Sequence, residues 1–329
     1  MTTQDPTTTT ADTHAGPVAP GPDTVADLIT APVVSVAPVV LPAPDRGEDL
    51  AVRITAPVAG DALPVLLFSH GFGLSLDGYA PLVNAWAAAG FVVLQTTHLD
   101  SRRLGITPDD PRYGDIWRFR IADLRRMLDE LGVLVAAVPG LAGRVDGDRV
   151  AVAGHSFGGQ TAGALLGARV LDADGRPGED LSDPRISAGV LLATAGTGDD
   201  LAPFAREHFP FMNPGFDTLT PRTLVVTGDR DDSPLSARGP EWMTDAYTRS
   251  PGAEHLLTIA GGEHLLGGIS GYEAAETTDE HPGRVAVIRR ATAAWLRAAL
   301  KVDDADWRAV RTDLEGGTEP LGRLESKAG

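Results

Sequence analysis

The chain has 329 residues and carries 45 acidic against 28 basic residues, a formal net charge of −17. Such an excess of negative charge repels phosphate backbones and anionic lipid headgroups, which argues against nucleic-acid partners and acidic membrane surfaces. The chain contains no cysteine, and this excludes disulfides, a thiol nucleophile and any cysteine-ligated metal. Hydrophobic residues make up 43% of the sequence, which is enough for a sizeable core.

The two ends of the sequence differ in composition from the middle. Residues 1–30 are rich in Thr, Pro, Ala and Gly, and we expect a disordered tail there. Residues 312–329 have a similar composition, so we expect a second flexible tail and a single catalytic domain over 31–311. No apolar run approaches the roughly 18 residues of a membrane span. A secretory signal begins with a positively charged region, whereas no basic residue precedes Arg46 in this sequence. A cytoplasmic protein without integral membrane association is expected.

Short apolar runs alternate with stretches of helical periodicity along most of the chain. Strands are predicted at Val33–Leu41, Leu50–Thr55, Leu63–Ser69, Phe91–Thr97, Arg149–His155, Ala188–Ala193, Thr223–Thr227 and Leu256–Ala260. Helices are predicted at Tyr79–Ala89, Ile116–Leu131, Gln160–Leu171 and Pro282–Leu300. This order predicts an α/β fold, in which an eight-stranded, mostly parallel sheet with an antiparallel start carries helices on both faces.

The strongest functional motif is the run Gly-His-Ser-Phe-Gly-Gly at residues 154–159. An apolar strand leads into it and a helix-compatible stretch follows, which is the context of a Gly-x-Ser-x-Gly nucleophile elbow. In this turn the serine adopts a strained backbone conformation, and the flanking glycines leave room for the sharp change of direction. The motif therefore predicts Ser156 as a nucleophile.

The chain resembles the α/β-hydrolases, and more narrowly the branch of platelet-activating-factor acetylhydrolases, chlorophyllase-like enzymes and bacterial cutinase-like esterases. The motifs that carry the resemblance are residues 68–73 (Phe-Ser-His-Gly-Phe-Gly), 154–159, 228–231 (Gly-Asp-Arg-Asp) and 261–264 (Gly-Gly-Glu-His). The resemblance covers roughly residues 63–300. It implies the α/β-hydrolase fold, a Ser-His-Asp triad and hydrolysis of carboxylic esters.

A serine nucleophile needs a general base that accepts its proton. The histidines that follow Ser156 in the sequence are His208, His255, His264 and His281. His264 is the best candidate, because it comes just after the last predicted strand in a Gly-rich loop that can return over the sheet edge. The other three fit better as surface, packing or helix-entry residues.

The triad acid should follow the seventh predicted strand, where Asp229, Asp231 and Asp232 are candidates. Any of the three could orient the imidazole and stabilise its cation. The family pattern, with the acid three residues after the glycine, selects Asp231. The remaining two are expected to be solvated loop charges, with Asp232 the stronger alternative.

Stabilisation of the tetrahedral intermediate requires two preorganised N–H donors. One donor is expected from Phe157, the residue after the nucleophile, and the resemblance assigns the other to Phe72. We expect His70 to brace this loop from below rather than act as a base.

Residues 196–220 combine aromatic side chains with helix breakers. This segment is either a flap whose Phe209, Phe211 and Met212 line an acyl pocket, or a long loop docked by its own aromatics. Both descriptions can hold together.

Two polar features have mainly structural interpretations. The three-residue spacing of Arg120 and Asp123 on the long helix predicts a structural ion pair rather than a site. His98 and Asp100 could line the cleft, but too few ligands accompany them for a metal site. The sequence has neither a dinucleotide-binding nor a Walker-type glycine motif, so no cofactor is implied.

The sequence thus predicts a serine esterase that forms an acyl-enzyme on Ser156 and acts on small-molecule or lipid-like esters. One alternative is an acyltransferase that uses the same triad with an alcohol or amine acceptor. Another is a non-catalytic hydrolase-fold binding protein, although such a protein has no need of all three triad residues.

Overall fold

The apolar runs form strands because branched and aromatic side chains fit a pleated sheet that is covered on both faces. The computed structural model describes residues 31–327, so the tail predicted at 1–30 lies outside the described residues. The strands in this range are β1 (Val33–Leu41), β2 (Leu50–Pro57), β3 (Leu63–Ser69), β4 (Val92–Thr96), β5 (Val145–His155), β6 (Arg169–Val170), β7 (Ile186–Leu192), β8 (Pro214–Gly215), β9 (Arg222–Gly228), β10 (Ala253–Ile259) and β11 (Gly322–Ser326).

Nine of these strands form the main sheet, in the order β1-β2-β4-β3-β5-β7-β9-β10-β11. The pairs β1–β2 and β2–β4 are antiparallel, and the strands from β4 to β10 are parallel to one another. The short strands β6 and β8 pair separately as a small antiparallel ribbon. The predicted class and antiparallel start are confirmed, whereas the predicted number of eight strands is one too few.

The described residues also form eight α-helices. They are α1 (Ala80–Ala88), α2 (Ile116–Asp129), α3 (Leu131–Ala136), α4 (Phe157–Leu165), α5 (Pro203–His208), α6 (Asp245–Arg249), α7 (Pro282–Ala299) and α8 (Ala305–Glu315). The helix predicted at Gln160–Leu171 begins earlier and ends earlier, since α4 starts directly after Ser156 and the chain then forms β6.

The C-terminal segment predicted as a flexible tail at 312–329 is instead structured through residue 327. Helix α8 crosses the predicted boundary, and β11 pairs antiparallel with β10. Leu324 is buried while Arg323 and Glu325 on either side are exposed. A strand with a single apolar side chain on its buried face gives almost no signal in the sequence, and tertiary pairing supplies the stability.

Alternate residues of the central strands serve two different apolar layers. Leu66 and Phe68 of β3 pack in the layer that includes α1 and α7, whereas Val65 and Leu67 pack in the layer that includes α2 and α4. The sheet is thus covered on both faces, and the loops that follow β3, β5, β9 and β10 meet at one edge. Within residues 31–327, every helix is too short or too polar to span a bilayer.

Candidate active site

Ser156 lies at the junction between β5 and α4, with φ of 57° and ψ of −121°. A Cβ atom at Gly154 would collide with the carbonyl oxygen of Gly158, and a Cβ atom at Gly158 would collide with the carbonyl oxygen of Ser69. The turn is therefore possible only with glycine at both positions. It lifts a partly exposed Ser156 hydroxyl above the sheet edge, in a conformation that non-glycine residues rarely adopt.

His264 and Asp231 approach Ser156 from the loops that follow β10 and β9. The Nε2 atom of His264 lies 2.8 Å from the Oγ atom of Ser156. Its Nδ1 atom lies 3.1 Å and 3.0 Å from the two carboxylate oxygens of Asp231. Asp231 is 1% exposed, whereas the His264 side chain is 41% exposed. We refer to Ser156, His264 and Asp231 as the open set.

The other candidates from the sequence lie elsewhere. Asp229 accepts a hydrogen bond from the backbone of Gly261, and Asp232 is an exposed loop residue. His255 contacts the hydroxyl of Ser326 on β11. His281 caps the start of α7, and His208 is exposed at the end of α5.

The loop that carries His264 is held from both sides by one buried carboxylate. The Oδ2 atom of Asp279 accepts hydrogen bonds from the backbone N–H groups of Glu263, at 2.9 Å, and Gly267, at 2.8 Å. These two groups flank His264 in the sequence. Asp279 therefore restrains the position of the imidazole, and no motif in the sequence indicated this role.

A series of hydrogen bonds, which no motif in the sequence indicated, connects the loop after β3 to the loop that carries His264. The N–H of Gly71 donates to Tyr79 Oη at 3.0 Å, and the tyrosine hydroxyl donates to His155 Nδ1 at 2.7 Å. The Nε2–H group of His155 then donates to the carbonyl oxygen of His264 at 2.7 Å. The pKa of His155 is lowered to about 3, mainly by burial and to a smaller extent by the nearby His264. The ring is therefore neutral, with one nitrogen as donor and the other as acceptor. These hydrogen bonds fix two loops relative to each other.

The loop at residues 70–73 places Phe72 beside Ser156. Gly73, with φ of +77°, donates its N–H to Asp100 at 3.2 Å, and Arg120 holds the same carboxylate through two nitrogens at 2.8 Å and 2.7 Å. Phe157 is the first residue of α4, so its N–H has no partner within the helix. Phe72 and Phe157 line one cavity together with Ser156.

His70 supports the same loop from inside and makes no hydrogen bond to Ser156. Its Nδ1–H donates to the carbonyl oxygen of Gly71 at 2.7 Å, and its Nε2 accepts the N–H of His98 at 3.1 Å. Burial and the adjacent Arg120 lower the pKa of His70 to about 3. The ring is therefore neutral, and it acts as a fixed brace.

Ser69, His98 and Asp123 form a second hydrogen-bonded group, which we call the buried set. The Ser69 hydroxyl lies 2.9 Å from His98 Nε2, and His98 Nδ1 lies 2.8 Å from the Asp123 carboxylate. The exposed fractions of the three residues are 0%, 0% and 3%. Arg46 pairs with the same carboxylate at 3.0 Å, and Arg120 donates to Ser69 Oγ at 3.2 Å.

Two expectations from the sequence are corrected by this buried set. Arg120 pairs with Asp100 rather than with Asp123, because both side chains of α2 point inward to partners on other segments. His98 and Asp100 are buried and do not line the cleft. Among the described residues, no group of three or more His, Asp or Glu side chains could hold a metal ion.

The segment predicted as a possible flap contains the short helix α5 and lies against α4. Phe209, Phe211 and Met212 line a cavity of about 160 Å³ that also borders Ser156. The Nε2 of Gln160 on α4 donates to the Phe211 carbonyl at 2.6 Å and holds the segment in place. Leu235 completes the lining, and no motif in the sequence singled it out.

Residues 43–171 match the family model described as Chlorophyllase. The fold is that of an α/β-hydrolase. The matched segment includes Ser156 and the loop at 70–73, whereas Asp231 and His264 lie beyond it. The expected resemblance to chlorophyllase-like α/β-hydrolases is thus confirmed over this stretch, and the match indicates a hydrolase that acts on esters. A comparison with curated proteins gave no match.

Proposed function

We propose that this protein hydrolyses carboxylic esters through a covalent acyl-enzyme on Ser156. The observation that carries the proposal is the geometry of the open set, in which His264 contacts Ser156 Oγ at 2.8 Å and Asp231 through its other ring nitrogen. A base within hydrogen-bond reach of a serine, itself oriented by a third group, is the arrangement that activates a nucleophile.

In the proposed mechanism, Ser156 Oγ attacks the acyl carbon while His264 Nε2 takes the hydroxyl proton. Asp231 fixes the ring with Nδ1 protonated and stabilises the cation that forms. The N–H groups of Phe72 and Phe157 hold the negative oxygen of the tetrahedral intermediate. When the C–O bond breaks, His264 gives the proton to the leaving alcohol.

Deacylation repeats these steps with water as the nucleophile. His264 removes a proton from water, the hydroxide attacks the acyl carbon, and Ser156 leaves with the proton that His264 returns. The 41% exposure of the His264 side chain favours water over a bound second acceptor. This supports hydrolysis rather than acyl transfer.

The direct test is labelling with a fluorophosphonate, which reacts covalently with an activated serine. We expect one label per chain, located on Ser156 by peptide mapping, and no label on Ser156→Ala. Ser187→Ala is the matched control, because Ser187 is an exposed serine on β7 that is bonded to the Val150 carbonyl. A folded protein that remains unlabelled would contradict the proposal and favour a ligand-binding protein.

A further inference from the structure

Two cavities with different linings open beside Ser156. One, of about 160 Å³, is bounded by Phe157, Phe211 and Leu235. The other, of about 310 Å³, is bounded by His264, Arg102 and Glu276. Only Ser156 and Phe72 line both cavities. We refer to them as the aromatic pocket and the histidine-side pocket.

The position of His264 determines which part of an ester each cavity can hold. In acyl transfer, the bond between Ser156 Oγ and the acyl carbon forms, the bond to the alcohol oxygen breaks, and that oxygen must receive the proton from His264 Nε2. The alcohol must therefore leave from the side of the imidazole. His264 lines the histidine-side pocket and does not line the aromatic pocket.

We infer that the aromatic pocket binds a short acyl group of up to about six carbons and that the histidine-side pocket binds a bulkier alcohol. This inference rests on the proposed function. The substrate class is thus short-chain or aryl-acid esters of large alcohols, and long-chain fatty acyl esters are poor substrates.

The upper limit on acyl size follows from the volume and rigidity of the aromatic pocket. A cavity of about 150 Å³ with apolar walls holds a guest the size of benzene, and the aromatic pocket has nearly the same volume. Three neighbouring aromatic rings form much of its wall, with ring centroids 5.5 Å apart for the tilted pair Phe157 and Phe211 and 6.0 Å apart for the edge-to-face pair Phe209 and Phe211.

This wall cannot easily retreat to admit a longer chain. Phe211 and Met212 are buried, and Gln160 fixes the backbone of Phe211. Arg120 also lies over the ring of Phe157 at 4.4 Å and is itself held by Asp100. On the side formed by Phe157, Phe211 and Met212, the pocket is therefore limited by the buried core of the protein.

The histidine-side pocket is about twice as large and has a mixed wall. Leu74, Leu265 and Ala274 give it an apolar floor, while Arg102 and Glu276 form an ion pair of 3.0 Å that is more than half exposed. Long, exposed side chains such as these can move aside at little cost, because solvent replaces their contacts. A large alcohol, including one with polar groups, can therefore be accommodated there.

The first experiment varies the acyl chain of p-nitrophenyl esters from acetate to decanoate at constant alcohol. We expect kcat/KM to be highest for four to six carbons and to fall at least about tenfold by decanoate, the discrimination that an apolar pocket gives by size. Butanoate esters of ethanol, benzyl alcohol and naphthylmethanol, followed by acid release in a pH-stat, should show no comparable loss with alcohol size.

Substitutions in the aromatic pocket should change the preference for acyl-chain length and leave the alcohol preference unchanged. Substitutions in the histidine-side pocket should do the reverse. Leu235→Phe should depress hexanoate relative to acetate, and Phe211→Ala should extend the optimum beyond six carbons. Phe119→Ala is the matched control, since Phe119 on α2 lines neither cavity. Glu276→Trp should slow the naphthylmethyl ester and leave the chain-length profile unchanged, with Glu280→Trp as its exposed control.

The outcomes separate the two proposals. If no ester is cleaved and Ser156 is not labelled, the proposed function itself fails. If esters are cleaved in a Ser156-dependent way but the optimum is ten carbons or longer, or Leu235→Phe and Phe211→Ala both leave the acyl profile unchanged, the cavity assignment is overturned while the esterase proposal stands.

Discussion

The open set and the buried set share one hydrogen-bond pattern and differ in everything around it. In both, a serine hydroxyl lies within 2.9 Å of a histidine Nε2, and the Nδ1 atom of that histidine contacts an aspartate. The imidazole is 41% exposed in the open set, whereas His98 in the buried set is completely enclosed. Only the open set borders cavities that could receive a substrate.

The surroundings of Ser156 and Ser69 also favour a reaction only at Ser156. Ser156 has a strained backbone at the start of a helix, where free N–H groups can stabilise a developing oxyanion. Ser69 ends a strand, and its oxygen already accepts a hydrogen bond from Arg120. A Ser-His-Asp contact pattern therefore becomes a candidate site only when access, N–H donors and space for an acyl carbon accompany it.

The largest expected effect separates the two serines. Ser156→Ala should lower kcat for p-nitrophenyl butanoate by about 10⁴- to 10⁶-fold, as loss of a nucleophile does, with little change in thermal stability. Ser69→Ala should leave kcat within about tenfold, but it removes a partner of buried His98 and should cost about 1–3 kcal/mol of unfolding free energy. Steady-state kinetics and urea unfolding measure both. A large loss of activity without loss of stability in Ser69→Ala would overturn the distinction.

Substitution of Asp231 should mainly lower activity, whereas substitution of Asp123 should mainly lower stability. Asp231→Asn should reduce kcat by about 10³- to 10⁴-fold, because the amide no longer holds the imidazole in the required tautomer. Asp123→Asn should instead cost about 1–3 kcal/mol of unfolding free energy, since the amide replaces a buried carboxyl that contacts His98 and Arg46. If Asp231→Asn kept wild-type turnover, the assignment of the acid would be wrong.

A smaller effect is expected from the contact chain between the two loops. Tyr79→Phe removes only the hydroxyl that joins Gly71 to His155. Loss of about 1.4 kcal/mol of positioning in the transition state corresponds to a tenfold fall in kcat, and we expect a fall of about this size. KM should change little. Tyr272→Phe is the control, because Tyr272 is fully exposed. If the two variants had equal kcat values, the Tyr79 hydroxyl would have no positioning role.

Mild acid should gradually lower the free energy of unfolding. Burial lowers the pKa of His70 and of His155 from 6.5 to about 3, so between these values the unfolded chain binds protons that the folded chain does not. The unfolding free energy should therefore fall as the pH drops below about 6.5. Asp123 acts in the opposite direction, because burial raises its pKa from 3.8 to about 7 against the pull of Arg46.

Buried His98 and His255, whose pKa values burial also lowers, add to the destabilising side, so four histidines oppose one aspartate. The melting temperature should be lower at pH 5 than at pH 7.5. A melting temperature that stayed constant or rose on acidification would show that these rings do not remain neutral in the folded protein.

Local patterns in the sequence were sufficient for most of the fold. Most of the predicted helices and strands near the candidate site coincide closely with observed elements, because each is specified by its own apolar periodicity; β3, β4 and α7 are examples. The sequence could not reveal β11, whose stability depends on pairing with β10, nor the early end of α4.

Side-chain partners were predictable only where a motif specified them. The elbow and the Gly-rich loop pointed to Ser156 and His264, and the family pattern chose among three neighbouring aspartates. Tyr79 and Asp279 carry no such motif, and their contacts join segments far apart in the chain. The Arg120 prediction was wrong for the same reason, since helical spacing describes neighbours on one surface and says nothing about an inward-facing partner.

The pairing of β11 with β10 also bears on how the chain is made. The strand that borders β10 on its outer side is formed by residues 322–326, so β10 exposes an unpaired, mostly apolar edge until those residues have been synthesised. Unpaired edges recruit strands from other chains. Premature termination before residue 322 should therefore yield polymerising protein even though every residue of the open set is already present, and Arg323 and Glu325 on the finished edge act as charged gatekeepers against such pairing.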